Sequence, residues 1–372
     1  MSAASKVPPM FVVRMVGRFR DALAALHRRT APAHIALLEL HMTGYLSVAI
    51  GAAAELAIAD ELAAGPRQAG DLARAVGADE DALRRLMRLL ISFDIFEQRR
   101  DGAYRLNGLA QALRKDAPVS LRDLFLFFGS DYHRTHWTHL VDAVRTGQPV
   151  GAALDGKPFF EYTAEHREIG DLFDRAMTSV STLSVEPLLA AYDFGRFGTL
   201  VDLGAGQGSL LMEILRRTEA ARGIIFDLPD VVSGLPEEIA AAGLDGRLSV
   251  ETGSFFESVP KGGDAYLLKH IIHDWSDEEA EQILRTVRAA MEPDASLLIV
   301  EIVLPEHQRP HAGKFIDLEM LVNATGRERT AEDFRKLLER SGFTLHRVVA
   351  TVSPDSVLEA RPASNAAGTP AR

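Results

Sequence analysis

Apolar and polar residues change rhythm near residue 199. Before that point the spacing is helical. From Phe11 to Leu26 apolar residues recur at three- and four-residue intervals, and two more helix-like stretches rich in Ala, Leu and Ile fill Ala36 to Leu62. Between Ala69 and Gly108 the pattern predicts a short helix (Asp71 to Val76), a turn at Gly77, a second helix (Asp79 to Phe93) and a hairpin turning at Asp101-Gly102. That order is a winged helix-turn-helix pattern. From Leu113 to Asp193 the chain reads as helical, broken at Pro118, in the Gly147 to Gly156 loop and at Pro158.

After residue 199 short apolar runs alternate with amphipathic helices. Strands are predicted at Thr199–Leu203, Gly223–Phe226, Leu248–Glu251, Ala265–Lys269 and Leu297–Ile302, with a closing pair at Thr344–Ala350 and Val357–Glu359. Such alternation predicts a doubly wound α/β sheet. The closing pair is joined only by Thr351 to Ser356, too short a link for a parallel crossover, so its strands are expected antiparallel. The domain reading is an N-terminal helical winged-helix-like domain over 1–115, a helical connector over 116–195, an α/β domain over 196–362 and a disordered tail over 363–372.

The first strand runs into the stretch TLVDLGAGQGSL, Thr199 to Leu210. Gly204, Gly206 and Gly208 form a glycine turn ahead of a helix whose first N–H groups are unpaired, an arrangement suited to a nucleotide. The dinucleotide fingerprint needs a glycine where Ser209 stands, and no Gly-Lys-Ser/Thr follows, so neither a pyrophosphate cradle nor a P-loop is present. The second strand ends in Asp227, a carboxylate placed to accept from ribose hydroxyls. Together these favour a nucleoside without phosphate, such as S-adenosylmethionine.

Composition narrows the partners. The 372 residues are 47% hydrophobic and 25% charged, with a formal net charge of -11, which disfavours general affinity for nucleic acid or anionic membrane. The second winged-helix helix carries Arg84, Arg85 and Arg88, but Asp79, Glu80 and Asp81 stand at its start, where recognition residues would meet a DNA groove, so a structural or dimerising role is favoured over DNA binding. Cysteine is absent, which excludes disulfides and thiolate chemistry. No uninterrupted apolar run reaches the roughly 18 residues of a spanning helix, and the longest candidate, Tyr45 to Ala59, is expected to be a buried helix. With an N-terminal apolar piece too short for a signal peptide, a cytoplasmic protein is expected. In DYHRTHWTHL, His133 and His136 are three apart, but His139 turns to another face and no carboxylate stands at ligand spacing, so no metal is expected. A pocket wall containing Trp137 is.

A second constellation is LLKHIIHDWSDEEA, Leu267 to Ala280. His273 falls in the turn beyond a strand's carboxyl end, where open α/β sheets bind ligands. Two carboxylates occupy matching places: Glu301 near the end of the next strand, and Glu328 in the loop GRERT ahead of another helix. A lone histidine is more often structural, and two carboxylates at matching places raise the odds of a chemical role.

These motifs, VDLGAGQG, FDLP (Phe226 to Pro229), the LLKHIIHDWSDE block, LLIVEIVLP (Leu297 to Pro305) and GRERTAEDF (Gly326 to Phe334), resemble the S-adenosylmethionine-dependent O-methyltransferases that include plant caffeate and chalcone enzymes and bacterial aromatic-polyketide enzymes. The resemblance covers nearly the whole chain. It implies a Rossmann-like class I methyltransferase domain with an antiparallel last strand, a winged-helix unit used for homodimerisation, and methylation of a hydroxyl on a small aromatic acceptor. It implies His273 as general base flanked by Glu301 and Glu328; Asp202, Gly204, Gly206, Asp227, Leu228, Ser254, Phe255 and Lys269 at the cofactor; and Met177, Asp274, Met320 and Asn323, with Trp137, at the acceptor. Ser254 departs from the family, which often has an aspartate there to accept from the adenine amino group. Weaker cofactor binding follows, because a charged acceptor is roughly twice as strong as a neutral one. Two other readings stay open: a same-fold paralogue catalysing hydroxylation or decarboxylation, and a ligand-sensing transcription regulator built on the winged helix.

Overall fold

The computed structural model describes residues 7–363, so all of the expected tail except Ala363 lies outside the described residues. The chain divides into two compact units. One holds residues 142–151 and 184–363 together with the described residues up to Val16; the other holds 17–141 and 152–183. The stretch 116–195, read from sequence as one connector, is thus shared between both.

In the first unit the main strands are β1 (Thr199–Leu203), β2 (Arg222–Asp227), β3 (Leu248–Thr252), β4 (Ala265–Lys269), β5 (Ser296–Leu304), β6 (Phe343–Ala350) and β7 (Asp355–Pro362), with the two-residue strand Arg329–Thr330 pairing parallel to the end of β5. They line up in the order β3-β2-β1-β4-β5-β7-β6. The first five pair in parallel, while β7 runs antiparallel to both β5 and β6. The central strands read as continuous apolar runs because helices cover both faces. Leu210, Leu211, Ile214 and Leu215 of the helix Ser209–Arg217 lie in the core layer on one face, and Ile283, Leu284 and Val287 of the helix Asp277–Ala290 lie in the layer on the other, with Phe334, Leu337 and Leu338 of the helix Ala331–Arg340. The last two helices start from capping boxes, Ser276 with Glu279 and Thr330 with Asp333, which satisfy the first free N–H groups and fix where each loop ends.

The sheet's far side is tied by one buried charge. Glu359 on β7 is fully buried and accepts from Tyr192 Oη at 3.0 Å, Arg196 at 2.6 Å and Arg347 at 2.9 Å. Burial would raise its pKa, but Arg196 and Arg347 outweigh it and hold the carboxylate below its ordinary value.

The second unit contains the winged-helix pattern as read: helices Ala69–Ala75 and Glu80–Ser92, then a two-strand hairpin, Glu97–Gln98 against Tyr104–Arg105. Asp79 caps the second helix by accepting from Ala82 N at 2.9 Å. The stretch expected to be a buried helix, Tyr45 to Ala59, is buried over its second half, where Ala49, Ala53, Ile58 and Ala59 join the core and Leu46, Ile50 and Leu56 pack against it, while Tyr45 and Val48 stay exposed. Tyr45 to Glu55 is the end of a longer helix, Ala33–Glu55, whose buried residues are only Ala36, Ala49, Gly51, Ala53 and Ala54. Leu37, Leu40, Met42 and Tyr45 are exposed, and by length and composition alone this helix could cross a membrane.

Candidate active site

The glycine turn after β1 is as tight as its spacing predicts. Gly204, Gly206 and Gly208 all have left-handed φ, at 67°, 55° and 63°. A Cβ on Gly204 would stand 2.4 Å from Ile271 Cδ1 and 3.4 Å from Phe255 Cε1. Phe255 and Ile271 therefore wall the turn. Around Gly206 no atom lies within 4 Å of where a Cβ would be, so this part of the turn faces open space. Asp227, at the end of β2, accepts from Gly206 N at 2.8 Å and from Leu228 N at 2.7 Å, which holds the second strand's carboxylate against the turn. Burial raises its pKa against these two N–H groups.

Beneath the turn lies a buried polar line. Asp202 is 3% exposed, and burial pushes its carboxyl up to about 7 despite the Lys269 ammonium. Lys269, at the end of β4, is pushed down by burial and held up by Asp355, Asp202 and Glu301. Ser254 sits where a charged acceptor was expected to be missing, and its Oγ accepts from Phe256 N at 3.3 Å in a local turn.

His273 lies in a single 3-10 turn, Ile272–Asp274, just past β4. The structure brings its expected carboxylates to it. Nδ1 lies 2.9 Å from Glu328 Oε1 and 3.6 Å from Glu301 Oε2, and its backbone N–H donates to Glu301 Oε1 at 3.2 Å. On the ring's other edge, Nε2 is 3.5 Å from Asp274 Oδ1. Both glutamates are buried, and each keeps one oxygen without a hydrogen-bond partner, Glu301 Oε2 and Glu328 Oε2. Burial alone would push the imidazole down, but Glu301, Asp274 and Glu328 outweigh it and hold its pKa at about 10. Burial raises Asp274 to about 6 against the pull of His273, and raises Glu328 against its bond to the same ring.

Two residues that sequence reasoning passed over place Glu328. A Cβ on Gly326 would stand 1.9 Å from His273 O, so only glycine lets the GRERT loop lie against the turn. Arg329 is 1% exposed and its guanidinium donates to Ile272 O (2.8 Å), Trp275 O (3.0 Å) and Asp277 Oδ1 (2.8 and 3.0 Å). It clamps the loop to both sides of His273. Motif reading had included both residues in GRERT, but a buried arginine's carbonyl partners leave no sequence signal.

Of the expected acceptor residues, Asp274 adjoins His273. Met320 and Asn323 are three apart on the helix Ala312–Asn323, on one face, with Asn323 Nδ2 donating to Glu319 at 2.8 Å. Trp137 and Met177 belong to the second unit, on the helices Asp131–Thr138 and Arg167–Ala191. There Trp137 stands beside His133, ring centroids 6.3 Å apart. His136 meets a carboxylate from outside its helix: Asp155 lies 3.2 Å from its Nε2 and accepts from Tyr132 Oη at 2.8 Å.

Comparison with known proteins decides the family. Residues 137–344 match an O-methyltransferase domain, and residues 39–116 match an O-methyltransferase dimerisation domain. The chain belongs to the O-methyltransferase family. The family uses S-adenosylmethionine, and the glycine turn, walled by Phe255 and open at Gly206, fits a nucleoside held against backbone. A phenazine O-methyltransferase of Lysobacter antibioticus is 39% identical over 86% of this chain and 94% of its own length. An 8-amino-8-demethylriboflavin N,N-dimethyltransferase of Streptomyces davaonensis is 35% identical over 79% of this chain and 85% of its own. Among solved structures, an O-methyltransferase from neocarzinostatin biosynthesis in complex with S-adenosylmethionine and 2-hydroxy-5-methyl naphthoic acid matches with TM-score 0.74 and 31% identity, covering 85% of this chain and 96% of that one. This O-methyltransferase family member therefore shares its fold with enzymes of aromatic methylation on oxygen and on nitrogen.

Proposed function

We propose that the enzyme methylates a hydroxyl of a small phenolic or polyketide-like aromatic, with His273 as general base. The observation that carries this is the 2.9 Å contact between His273 Nδ1 and Glu328, which fixes the ring and leaves Nε2 as the edge that can receive a proton. S-adenosylmethionine, when bound, supplies a methyl group on a sulfonium. Asp202, Gly204, Gly206, Asp227, Leu228, Ser254, Phe255 and Lys269 would hold it. His273 takes the acceptor's proton at Nε2: the O–H bond breaks, an N–H bond forms, and the oxygen is left as nucleophile. Glu301 and Glu328 balance the charge that the ring gains. Asp274, Met320 and Asn323 would contact the acceptor.

General-base assistance is typically worth about 10²- to 10⁴-fold. His273→Ala is therefore expected to lower kcat at least tenfold while S-adenosylmethionine affinity, measured by equilibrium titration, barely changes. Full turnover in that variant would remove the assignment. The acceptor class is tested by incubating wild type and variant with labelled S-adenosylmethionine and a panel of phenols and aryl amines, read by product mass. Methylation of the amines alone would replace the oxygen reading with the nitrogen chemistry of the riboflavin-type relative. We further propose that two copies pair through the exposed face of the helix Ala33–Glu55, which runs into the matched dimerisation domain.

A further inference from the structure

One histidine of the site has no part in proton transfer as set out above. His270 follows β4 with a left-handed backbone, φ 53°, and its N–H donates to Val300 O at 3.0 Å. This conformation is uncommon for a residue with a Cβ, and it turns the ring back toward His273, with centroids 5.2 Å apart. Its Nε2 is 3.3 Å from Asp355 Oδ1 on β7, which leaves Nδ1 as the edge without a carboxylate against it.

We infer that His270, His273 and Glu301 form an inhibitory site for a borderline divalent cation such as zinc. Each offers one ligand atom, and the three atoms lie within 4.8 Å of one another. Two imidazoles and a carboxylate form a donor set that zinc accepts, with a fourth position left open. An independent sign of a ligand is Glu301 Oε2: the side chain is fully buried, and this oxygen has no hydrogen-bond partner. The carboxylate behind His270 completes the pattern, since metal-bound imidazoles commonly donate their other N–H to a carboxylate, and Asp355 stands at that place. Ligand atoms around a tetrahedral zinc sit roughly 3.4 Å apart, given bonds of about 2.1 Å, so the trio must draw together by about an ångström. His270 has room to make that movement, its side chain being 23% exposed. A cation held here would occupy a ring nitrogen of His273 and stop it from accepting a proton. The inhibitory effect rests on His273 being the base. Binding does not.

The test is zinc chloride titrated calorimetrically into the full chain and into His270→Asn, chosen because asparagine tolerates the left-handed backbone. Circular dichroism and S-adenosylmethionine affinity matching the wild type establish that the variant is folded. One zinc per wild-type chain, weakened at least about tenfold in the variant, is the expected result, with magnesium producing no heat. No saturable binding, or equal affinity in the two proteins, overturns the site. Turnover, normalised to each protein's own metal-free rate, should fall with the same midpoint as binding. Zinc that binds as expected but leaves turnover untouched leaves the site standing and counts against His273 as base, so the two failures are told apart.

Discussion

At the residue scale, the distinctive property of His273 is an imidazole held far above its ordinary pKa by three carboxylates acting against burial. A base must be neutral to accept a proton, so the acceptor-saturated rate is expected to rise through the alkaline range with an inflection toward about 10 and not at 6.5. Glu328→Gln removes one of the groups holding the pKa up while burial stays, so the inflection should move down. That shift assigns it to the enzyme, because the acceptor's own ionisation is the same in both proteins. A wild-type profile that levels off near pH 6.5 would contradict this. The same raised pKa is linked to stability. The contribution from protonated His273 is fully present below about pH 6.5 and is lost as pH rises through about 10. Ser254 belongs to this scale too. Ser254→Asp introduces a charged acceptor, and titration should show tighter S-adenosylmethionine binding; unchanged affinity would mean that the hydroxyl, already bonded to Phe256 N, does not face the adenine.

At the element scale, the loop that delivers Glu328 depends on Arg329. Lysine cannot reproduce a fork that reaches Ile272 O, Trp275 O and Asp277 together. Arg329→Lys is therefore expected to lower kcat at least about tenfold, with little change in the affinity of a cofactor bound by other elements. A variant with wild-type kcat would show that the loop holds its place without the clamp. Elements were also where sequence reading succeeded and failed for definable reasons. Ala265–Lys269 was legible to the residue because a strand buried on both faces is an unbroken apolar run. Asp355 and Ser356 were not legible as the start of β7, because both are polar residues that the fold buries, Asp355 against the distant His270, with no apolar pattern to mark them. The meeting of His273, Glu301 and Glu328 was legible because they fall just beyond one strand, near the end of the next and ahead of a helix. Gly326, Arg329, His270 and Asp355 act through contacts distant in sequence, which no local pattern records.

At the scale of the whole molecule, the first half of Ala33–Glu55 presents exposed apolar side chains. Leu37 is 69% exposed and Leu40 51%, one helical turn apart. A contiguous apolar face of this kind marks an interaction surface. Leu37→Glu combined with Leu40→Glu should convert a dimer into monomers in sedimentation, with circular dichroism unchanged. A dimer that survives both charges would place the interface elsewhere. Net charge bears on this scale as well, since a total of -11 disfavours nucleic acid even though the winged-helix pattern is present in full.

The position of β7 has a consequence for how the chain is made. It is the last strand in sequence, yet it pairs with β5 on one side and β6 on the other, and it carries Asp355 and Glu359 into the centre of the unit. During synthesis from the N-terminus, β5 and β6 emerge with no strand between them, and each presents an open edge until residues 355–362 arrive. Open edges recruit other chains, so this is the interval in which the nascent protein is most exposed to aggregation and most dependent on chaperones. A nonsense mutation as late as position 355 would fix the molecule in that state, losing the sheet's closure although every motif of the cofactor cradle had already been translated.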